Sequence, residues 1–95
     1  MFVISFEINV ADAERHHPRG SRRAYSDVGV LLKGFGFERI QKSVYAAQTD
    51  DMASLFSAIL ALRDLQWFGL CVNNIRAFKM ENGSDFTMIV KGEAT

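Results

Sequence analysis

The chain has one cysteine, one proline and no net charge among its 95 residues. A lone Cys71 excludes an intramolecular disulfide and is typical of a reducing compartment. No apolar run approaches the roughly 20 residues that a membrane-spanning helix needs, and Glu7 interrupts the apolar N-terminus too early for a secretory signal. These absences predict a cytoplasmic protein with no membrane contact.

Positive charge is local in this chain. Eleven basic and eleven acidic residues cancel, so no overall field attracts nucleic acid as in a strongly basic protein. Six basic or histidine residues nevertheless fall within nine positions: Arg15, His16, His17, Arg19, Arg22 and Arg23. Such a cluster is either a solvated loop and helix start or an edge that contacts phosphate. Any RNA binding is therefore expected at a local site.

Length and composition predict one globular domain spanning residues 1–95. Hydrophobic residues make up 48% of the chain and eight residues are phenylalanine, which is enough for a packed core. A domain of this size buries only a modest fraction of its surface. Dimerisation is therefore a reasonable expectation.

The N-terminal half reads as strand, loop, helix and a second extended stretch. Residues 2–10 alternate as a strand with Glu7 opposite the main apolar set, and residues 11–20, which contain the proline, read as a loop. A helix is expected from Ser21 to the glycine at position 34. Residues 37–47 are extended, with a bulge, bend or tight turn at 41–43.

The C-terminal half reads as helix, strand, turn and strand. Thr49 or Asp50 is expected to cap a helix with a wide apolar stripe, and residues 72–80 form an extended segment. Asn82-Gly83 is a strong hairpin signal, which makes residues 86–90 the last strand. The whole pattern predicts an α+β ferredoxin-like sandwich: two helices pack on one face of a mostly antiparallel sheet with an extra C-terminal strand, and the other face is free for a partner.

Few side chains suggest chemistry by themselves. Glu7 could bind a divalent cation such as Mg²⁺ while water and substrate phosphate complete the coordination, although a strand-end glutamate is more often a solvated surface residue. Ser43 and Tyr45 could place hydroxyls beside Glu7 if the middle strand neighbours the first. They could equally be ordinary strand residues.

Other polar and aromatic residues are similarly ambiguous. His16 and His17 could act as acid and base in RNA cleavage, but surface histidines without a role are the simpler interpretation. Arg76 suits either a salt bridge with Asp85 across the predicted hairpin or a phosphate contact. Trp67, with the phenylalanine that follows it, suits either the core or stacking on bases.

Sequence blocks along nearly the whole chain resemble virulence-associated protein D (VapD), a family of small bacterial endoribonucleases. The blocks are Ile4-Ser5-Phe6, His17-Pro18, Ala24-Tyr25, Phe35-Gly36-Phe37, Gln41, Ser43-Val44-Tyr45, Asp51 to Phe56, Trp67, Ile75-Arg76-Ala77-Phe78 and Ser84-Asp85-Phe86-Thr87. The resemblance implies a ferredoxin-like homodimer, related to the small subunit of the CRISPR adaptation complex, that cleaves single-stranded RNA. Some members are toxins of toxin–antitoxin pairs, which implies an antitoxin partner.

The resemblance also implies roles for particular residues. It places the catalytic acid at Glu7, where members usually carry aspartate, and it leaves open whether this carboxylate binds Mg²⁺ or acts as a general base. Ser43 and Tyr45 would assist catalysis. The residues expected to contact RNA are Lys42, Arg76, Arg22 and Arg23. The alternative is a non-catalytic dimeric adaptor or binding module with the same fold, and a third interpretation is a structural dimer that sequesters an antitoxin-like partner.

Overall fold

The computed structural model describes residues 1–48, 50–81 and 86–92. Four strands and five helices lie within these ranges. In chain order they are β1 (Phe2–Ile8), α1 (Val10–His16), α2 (Gly20–Lys33), β2 (Glu38–Gln41), β3 (Val44–Ala47), α3 (Met52–Arg63), α4 (Phe68–Cys71), β4 (Val72–Lys79) and α5 (Thr87–Lys91).

The four described strands form one antiparallel sheet in the order β2-β3-β1-β4. With the helices inserted after β1 and after β3, this is the ferredoxin-like arrangement, as predicted. The predicted bend at residues 41–43 is also confirmed, because β2 and β3 are joined by a tight turn at Lys42 and Ser43 and their register shifts there.

One face of the sheet forms the core against the helices. Ile4 lies opposite Tyr45 on β3 and Ala77 on β4, and the Phe6 ring stacks on Tyr45 at 6.0 Å between centroids. The helices contribute buried apolar residues to the same cluster: Ala24, Val28, Leu32, Leu55, Ala58, Leu62, Phe68 and Cys71. Full burial of each large side chain stabilises the fold by about 1.5–3 kcal/mol.

The second face, called here the outer face, presents the alternate residues of the same strands. Directly opposed residues of antiparallel strands share a face, so the register assigns to it Val3, Ser5, Glu7, Val44, Ala46, Asn74, Arg76 and Phe78. Among these, Glu7, Asn74, Arg76 and Phe78 are exposed. The prediction that Glu7 points away from the core is confirmed.

The prediction of a loop over residues 11–20 was wrong, because α1 occupies most of it. Asn9 caps this helix: its Oδ1 accepts a hydrogen bond from the Asp12 N–H at 2.9 Å. Ala13 packs fully into the core, and α1 ends at His16, two residues before Pro18. The proline marks the end of a short helix, and α2 then starts at Gly20, one residue before the predicted Ser21.

The predicted C-terminal strand over residues 86–90 was also wrong, because residues 87–91 form α5. A short, mostly apolar run fits a helix or a strand equally well by periodicity. Gly92 ends the helix in the left-handed region with φ +68°, which suits glycine. The predicted Asn82-Gly83 turn lies outside the described residues.

Helix α3 is capped by Asp51, and the predicted cap at Asp50 was wrong; Thr49 lies outside the described residues. One Asp51 oxygen accepts the Ala53 N–H at 3.0 Å and the other accepts the Ser54 hydroxyl at 3.0 Å. The Ser54 hydroxyl bond is the main cause that lowers the pKa of Asp51. Asp50 instead pairs with the N-terminal ammonium at 2.7 Å, which lowers its pKa as well.

Candidate active site

Glu7 lies near the carboxyl end of β1 with its side chain exposed on the outer face. A β-bulge follows it, since the register with β4 shifts between Glu7 and Ile8. The bulge leaves Asn73 without a directly paired residue on β1, and the Asn73 amide donates a hydrogen bond of 3.3 Å to the Glu7 carboxylate. Glu7 has no ion pair with any described residue, so most of its lone pairs are available to a ligand.

Three further polar residues share the outer face beside Glu7, and one of them, Asn74 of β4, lies directly opposite it. Ser5 lies two residues earlier on β1, and Arg76 of β4 lies directly opposite Ser5. Glu7 and Arg76 are therefore diagonal neighbours on adjacent strands, and both are exposed. The predicted partner of Arg76, Asp85, lies outside the described residues. A carboxylate, a hydroxyl and a guanidinium thus occupy one small surface.

Sequence reasoning missed Ser5 and Asn73 as neighbours of Glu7. The alternation of β1 already placed Ser5 on the same side as Glu7, so that signal was present. Asn73 had no comparable signal, because its position depends on the bulge.

The structure does not bring Tyr45 to Glu7. Tyr45 lies opposite Ile4, on the core face, and is 1% exposed. Its hydroxyl has no hydrogen-bond partner among the described residues, and burial raises the pKa of the phenol. The suggestion that Tyr45 presents its hydroxyl beside the carboxylate is corrected: the middle strand does neighbour the first, but alternation turns this side chain to the other face.

Ser43 lies in the turn between β2 and β3, at the end of the sheet where Glu7 is found. Its carbonyl accepts the Phe6 N–H at 3.1 Å, so Ser43 continues the β1–β3 register opposite a core residue. This places its backbone one residue from Glu7 in that register. Among the described residues, the Ser43 hydroxyl makes no hydrogen bond to the Glu7 carboxylate, which accepts one from Asn73.

The cations expected to contact RNA fall in three places. Arg22 and Lys42 line one groove beside α2, on the helix side of the sheet. Arg23 lines a separate cleft formed with His17, Asp27 and Trp67, whereas Arg76 is on the outer face. Adjacent arginines on one helix point in directions about 100° apart, which separates Arg22 from Arg23.

His17 is a buried structural residue, so the interpretation of both histidines as surface residues was wrong for this one. Its Nδ1 accepts the Arg19 N–H at 2.9 Å, and its Nε2 lies 2.7 Å from the Asp27 carboxylate. An Nδ1 that accepts carries no proton, so Nε2 is the protonated nitrogen that donates to Asp27. The Trp67 ring meets the imidazole edge-on at 4.6 Å. His17 therefore holds the α1–α2 connection together, while His16 is exposed.

The remaining predictions concern Cys71, Trp67 and metal ligands. Cys71 is buried as expected, and burial raises the pKa of its thiol. Trp67 packs against the core cluster and contacts Phe68 edge-on at 5.8 Å, which favours the structural interpretation.

The part of the chain that the structure describes contains no group of three or more His, Cys, Asp or Glu residues placed to hold a metal. It also contains no helix long and apolar enough to cross a membrane.

The fold and this surface define a small ferredoxin-like α+β protein with an exposed carboxylate on the outer face of its sheet. No family model matches the chain. Curated relatives do: an "Endoribonuclease VapD homolog" from Neisseria gonorrhoeae is 53% identical over 91 residues, covering 96% of this chain and 99% of the relative. "Endoribonuclease VapD" from Haemophilus influenzae is 44% identical with the same coverage. "Endoribonuclease VapD" from Helicobacter pylori is 36% identical, again with 96% and 99% covered. The chain belongs to the VapD family.

Proposed function

We propose that this protein is an endoribonuclease that cleaves single-stranded RNA, with Glu7 as its catalytic carboxylate. Two observations support it together: relatives that match the chain over nearly its whole length are named as endoribonucleases, and the exposed Glu7 carboxylate makes a single hydrogen bond among the described residues. The proposal also places the protein in the cytoplasm, where Cys71 stays reduced.

The chemistry follows from the side chains around Glu7. An RNA phosphate beside Arg76 brings its neighbouring 2′-hydroxyl to the carboxylate. Glu7 accepts the hydroxyl proton, the 2′-oxygen bonds to phosphorus, and the bond from phosphorus to the 5′-oxygen breaks as that oxygen takes a proton from water. Arg76 neutralises the negative charge that develops on the phosphate oxygens. This route leaves a 2′,3′-cyclic phosphate and a 5′-hydroxyl.

A second role for Glu7 is to bind Mg²⁺. One carboxylate per chain is a sparse ligand set, but Mg²⁺ commonly keeps several waters and takes further oxygens from substrate phosphate. The cation would supply an activated water as the nucleophile, and that reaction leaves a 3′-hydroxyl and a 5′-phosphate. The product ends therefore separate the two roles.

The proposal includes a homodimer formed through the outer face. This face carries the partly exposed Val44 and Ala46 and the half-exposed Phe78 beside the polar group at Glu7. Val3, opposite Ala46 and Phe78 in the register, is already buried. A two-fold axis through the outer face would bury the apolar part and place two copies of Glu7 in one cleft. Burial of this surface would also offset the small core of a 95-residue chain.

The proposal further assigns the protein as the toxin of a toxin–antitoxin pair. Its support is the family relationship alone. Induced expression of wild type is expected to arrest growth, and co-expression of an adjacent gene's product is expected to restore growth and to co-purify. Normal growth with an active wild-type enzyme would contradict the toxin role.

A cleavage assay tests the proposed activity. Purified protein is incubated with end-labelled single-stranded RNA in Mg²⁺ or in chelator, and the product ends are identified. We expect internal cleavage that is lost in Glu7→Gln. Cleavage in chelator with cyclic phosphate ends indicates the general-base role, and Mg²⁺-dependent cleavage with 5′-phosphate ends indicates the metal role. RNA that stays intact in every condition would support the non-catalytic adaptor instead.

A further inference from the structure

A groove lined by cations runs along α2 beside the edge strand β2. It consists of two adjoining cavities, of about 480 and 470 Å³, that share Tyr25, Ser26 and Arg39. The first cavity adds Lys33 and the carboxylate of Glu38. The second adds Arg22 and Lys42, and its described lining residues include no carboxylate. The size suits one or two nucleotides, since small-molecule sites usually measure about 300–1,000 Å³.

The second cavity is lined by three cations, Arg22, Arg39 and Lys42. Arg22, Arg39 and Lys42 form no ion pair with any carboxylate of the described residues. Arg39 donates from Nε to the Gln41 carbonyl at 3.3 Å, which leaves its terminal nitrogens available. In a chain of zero net charge, three unpaired cations around one cavity form a local site for phosphate.

Tyr25 supplies an aromatic surface between these charges. Its ring packs on Phe6 at 6.3 Å, and the Lys42 ammonium lies over the ring at 4.6 Å from the centroid. Stacking of a nucleobase on an aromatic ring is worth more than an exposed cation–π contact. A base can therefore displace the exposed Lys42 ammonium from the ring, and the displaced cation can then bind a phosphate.

The groove ends close to Glu7 but on the other side of the sheet. Val10, which lines it, follows Glu7 by three residues, and the Lys42–Ser43 turn is hydrogen-bonded to Phe6. A strand that leaves the groove must turn around this end of the sheet to reach the carboxylate. A flexible single strand can make that turn, whereas a duplex with a persistence length of about 150 base pairs is too stiff.

We propose that this groove holds single-stranded RNA next to the cleavage site, with phosphates bound by Arg22, Arg39 and Lys42 and one base stacked on Tyr25. The inference rests on the proposed ribonuclease function. It assigns RNA binding to the helix side of the sheet and cleavage to the outer face. Arg23, one position from Arg22, is excluded from the binding site.

Binding to an uncleavable RNA tests this assignment separately from catalysis. The probe is a fluorescein-labelled, 2′-O-methylated single strand of about 12 nucleotides, within the usual length range for such sites. It is used in chelator, so that neither the 2′-hydroxyl route nor the Mg²⁺ route can cut it, and the readout is fluorescence anisotropy. The variant is Arg22→Ala/Arg39→Ala. The matched control is Arg23→Ala, which removes an exposed arginine from the same helix but from the other cleft.

We expect the double variant to raise Kd by about tenfold or more and the control to leave it within about twofold. Loss of two phosphate contacts should also flatten the slope of log K against log salt by about 1.4, because each contact to a single strand contributes about 0.7. Tyr25→Leu, which keeps an apolar side chain against Phe6, should weaken binding by about fivefold or more, whereas Tyr25→Phe should not.

Three results would overturn the assignment. If the double variant binds like wild type, the groove does not hold RNA, and cleavage by wild type would still support the proposed function. Displacement of the probe by polyglutamate as effectively as by unlabelled RNA would identify a site for acidic protein segments. If wild type neither binds the probe nor cleaves RNA, both this inference and the proposed function are wrong.

Discussion

The Tyr45 hydroxyl is buried without a hydrogen-bond partner among the described residues, and this decides what the residue can do. Its phenol stays protonated because burial raises its pKa, and it lies on the core face, away from Glu7. We predict that Tyr45→Phe cleaves RNA at the wild-type rate and raises the free energy of unfolding by about 1 kcal/mol, because an unpartnered buried hydroxyl is destabilising. Urea unfolding and the cleavage assay measure both quantities. A large loss of cleavage in a folded variant would restore Tyr45 to the active site.

Residue positions were predictable where strand alternation fixes them. The exposure of Glu7 followed from the pattern of β1. The burial of Cys71 followed from its apolar surroundings. Tyr45 and His17 were not placed correctly. The face on which Tyr45 lies depends on which side of the short strand β3 packs against the helices. The burial of His17 depends on contacts with Asp27 and Trp67, which are distant in sequence. Those contacts leave no local pattern in the sequence.

At the scale of elements, α1 depends on the Asn9 cap. The helix has only seven residues, too few to be stable without tertiary contacts and capping. We predict that Asn9→Ala lowers the free energy of unfolding by about 1 kcal/mol, whereas Asn9→Ser, which retains a capping oxygen, costs much less. Urea unfolding followed by circular dichroism checks this. Equal losses in the two variants would show that the cap contributes little.

Helix α3 should make stability depend on acidity through its Asp51 cap. Because the Ser54 hydroxyl and the Ala53 N–H lower the pKa of Asp51 in the folded state, its contribution is complete above the unfolded pKa and is lost as pH falls through the folded pKa. Asparagine caps equally well but does not titrate. We therefore predict that wild type loses more stability than Asp51→Asn between about pH 7 and about pH 3. Parallel losses in thermal unfolding would contradict this.

The elements themselves were largely predictable, and the exceptions have physical causes. The sheet, α2 and α3 have clear apolar periodicity, so their positions followed. The first error was to extend the loop indicated by Pro18 and Gly20 back over residues 11–16, which belong to α1. The proline and the glycine lie after the end of that helix. The second was the short apolar run at residues 86–90, which has no local feature that separates strand from helix.

For the whole molecule, the outer face determines assembly in the proposed dimer. Phe78 is 49% exposed on this face, and Phe56 is 59% exposed on α3, on the helix side. We predict that Phe78→Glu shifts the protein towards monomer because it introduces a charge into a buried interface, whereas Phe56→Glu leaves the dimer intact. Sedimentation equilibrium over a range of concentrations measures both. A monomeric wild type, or a dimer lost only in Phe56→Glu, would contradict the proposed arrangement.

The catalytic role of Glu7 is tested by the single-turnover rate of RNA cleavage by Glu7→Gln beside wild type. Glutamine keeps the size of the side chain but can neither accept a proton as a carboxylate does nor bind a cation strongly. We predict a loss of about 100-fold or more in rate, with RNA affinity unchanged because binding is assigned to the groove at Arg22 and Arg39. Wild-type cleavage by a folded Glu7→Gln would contradict the account.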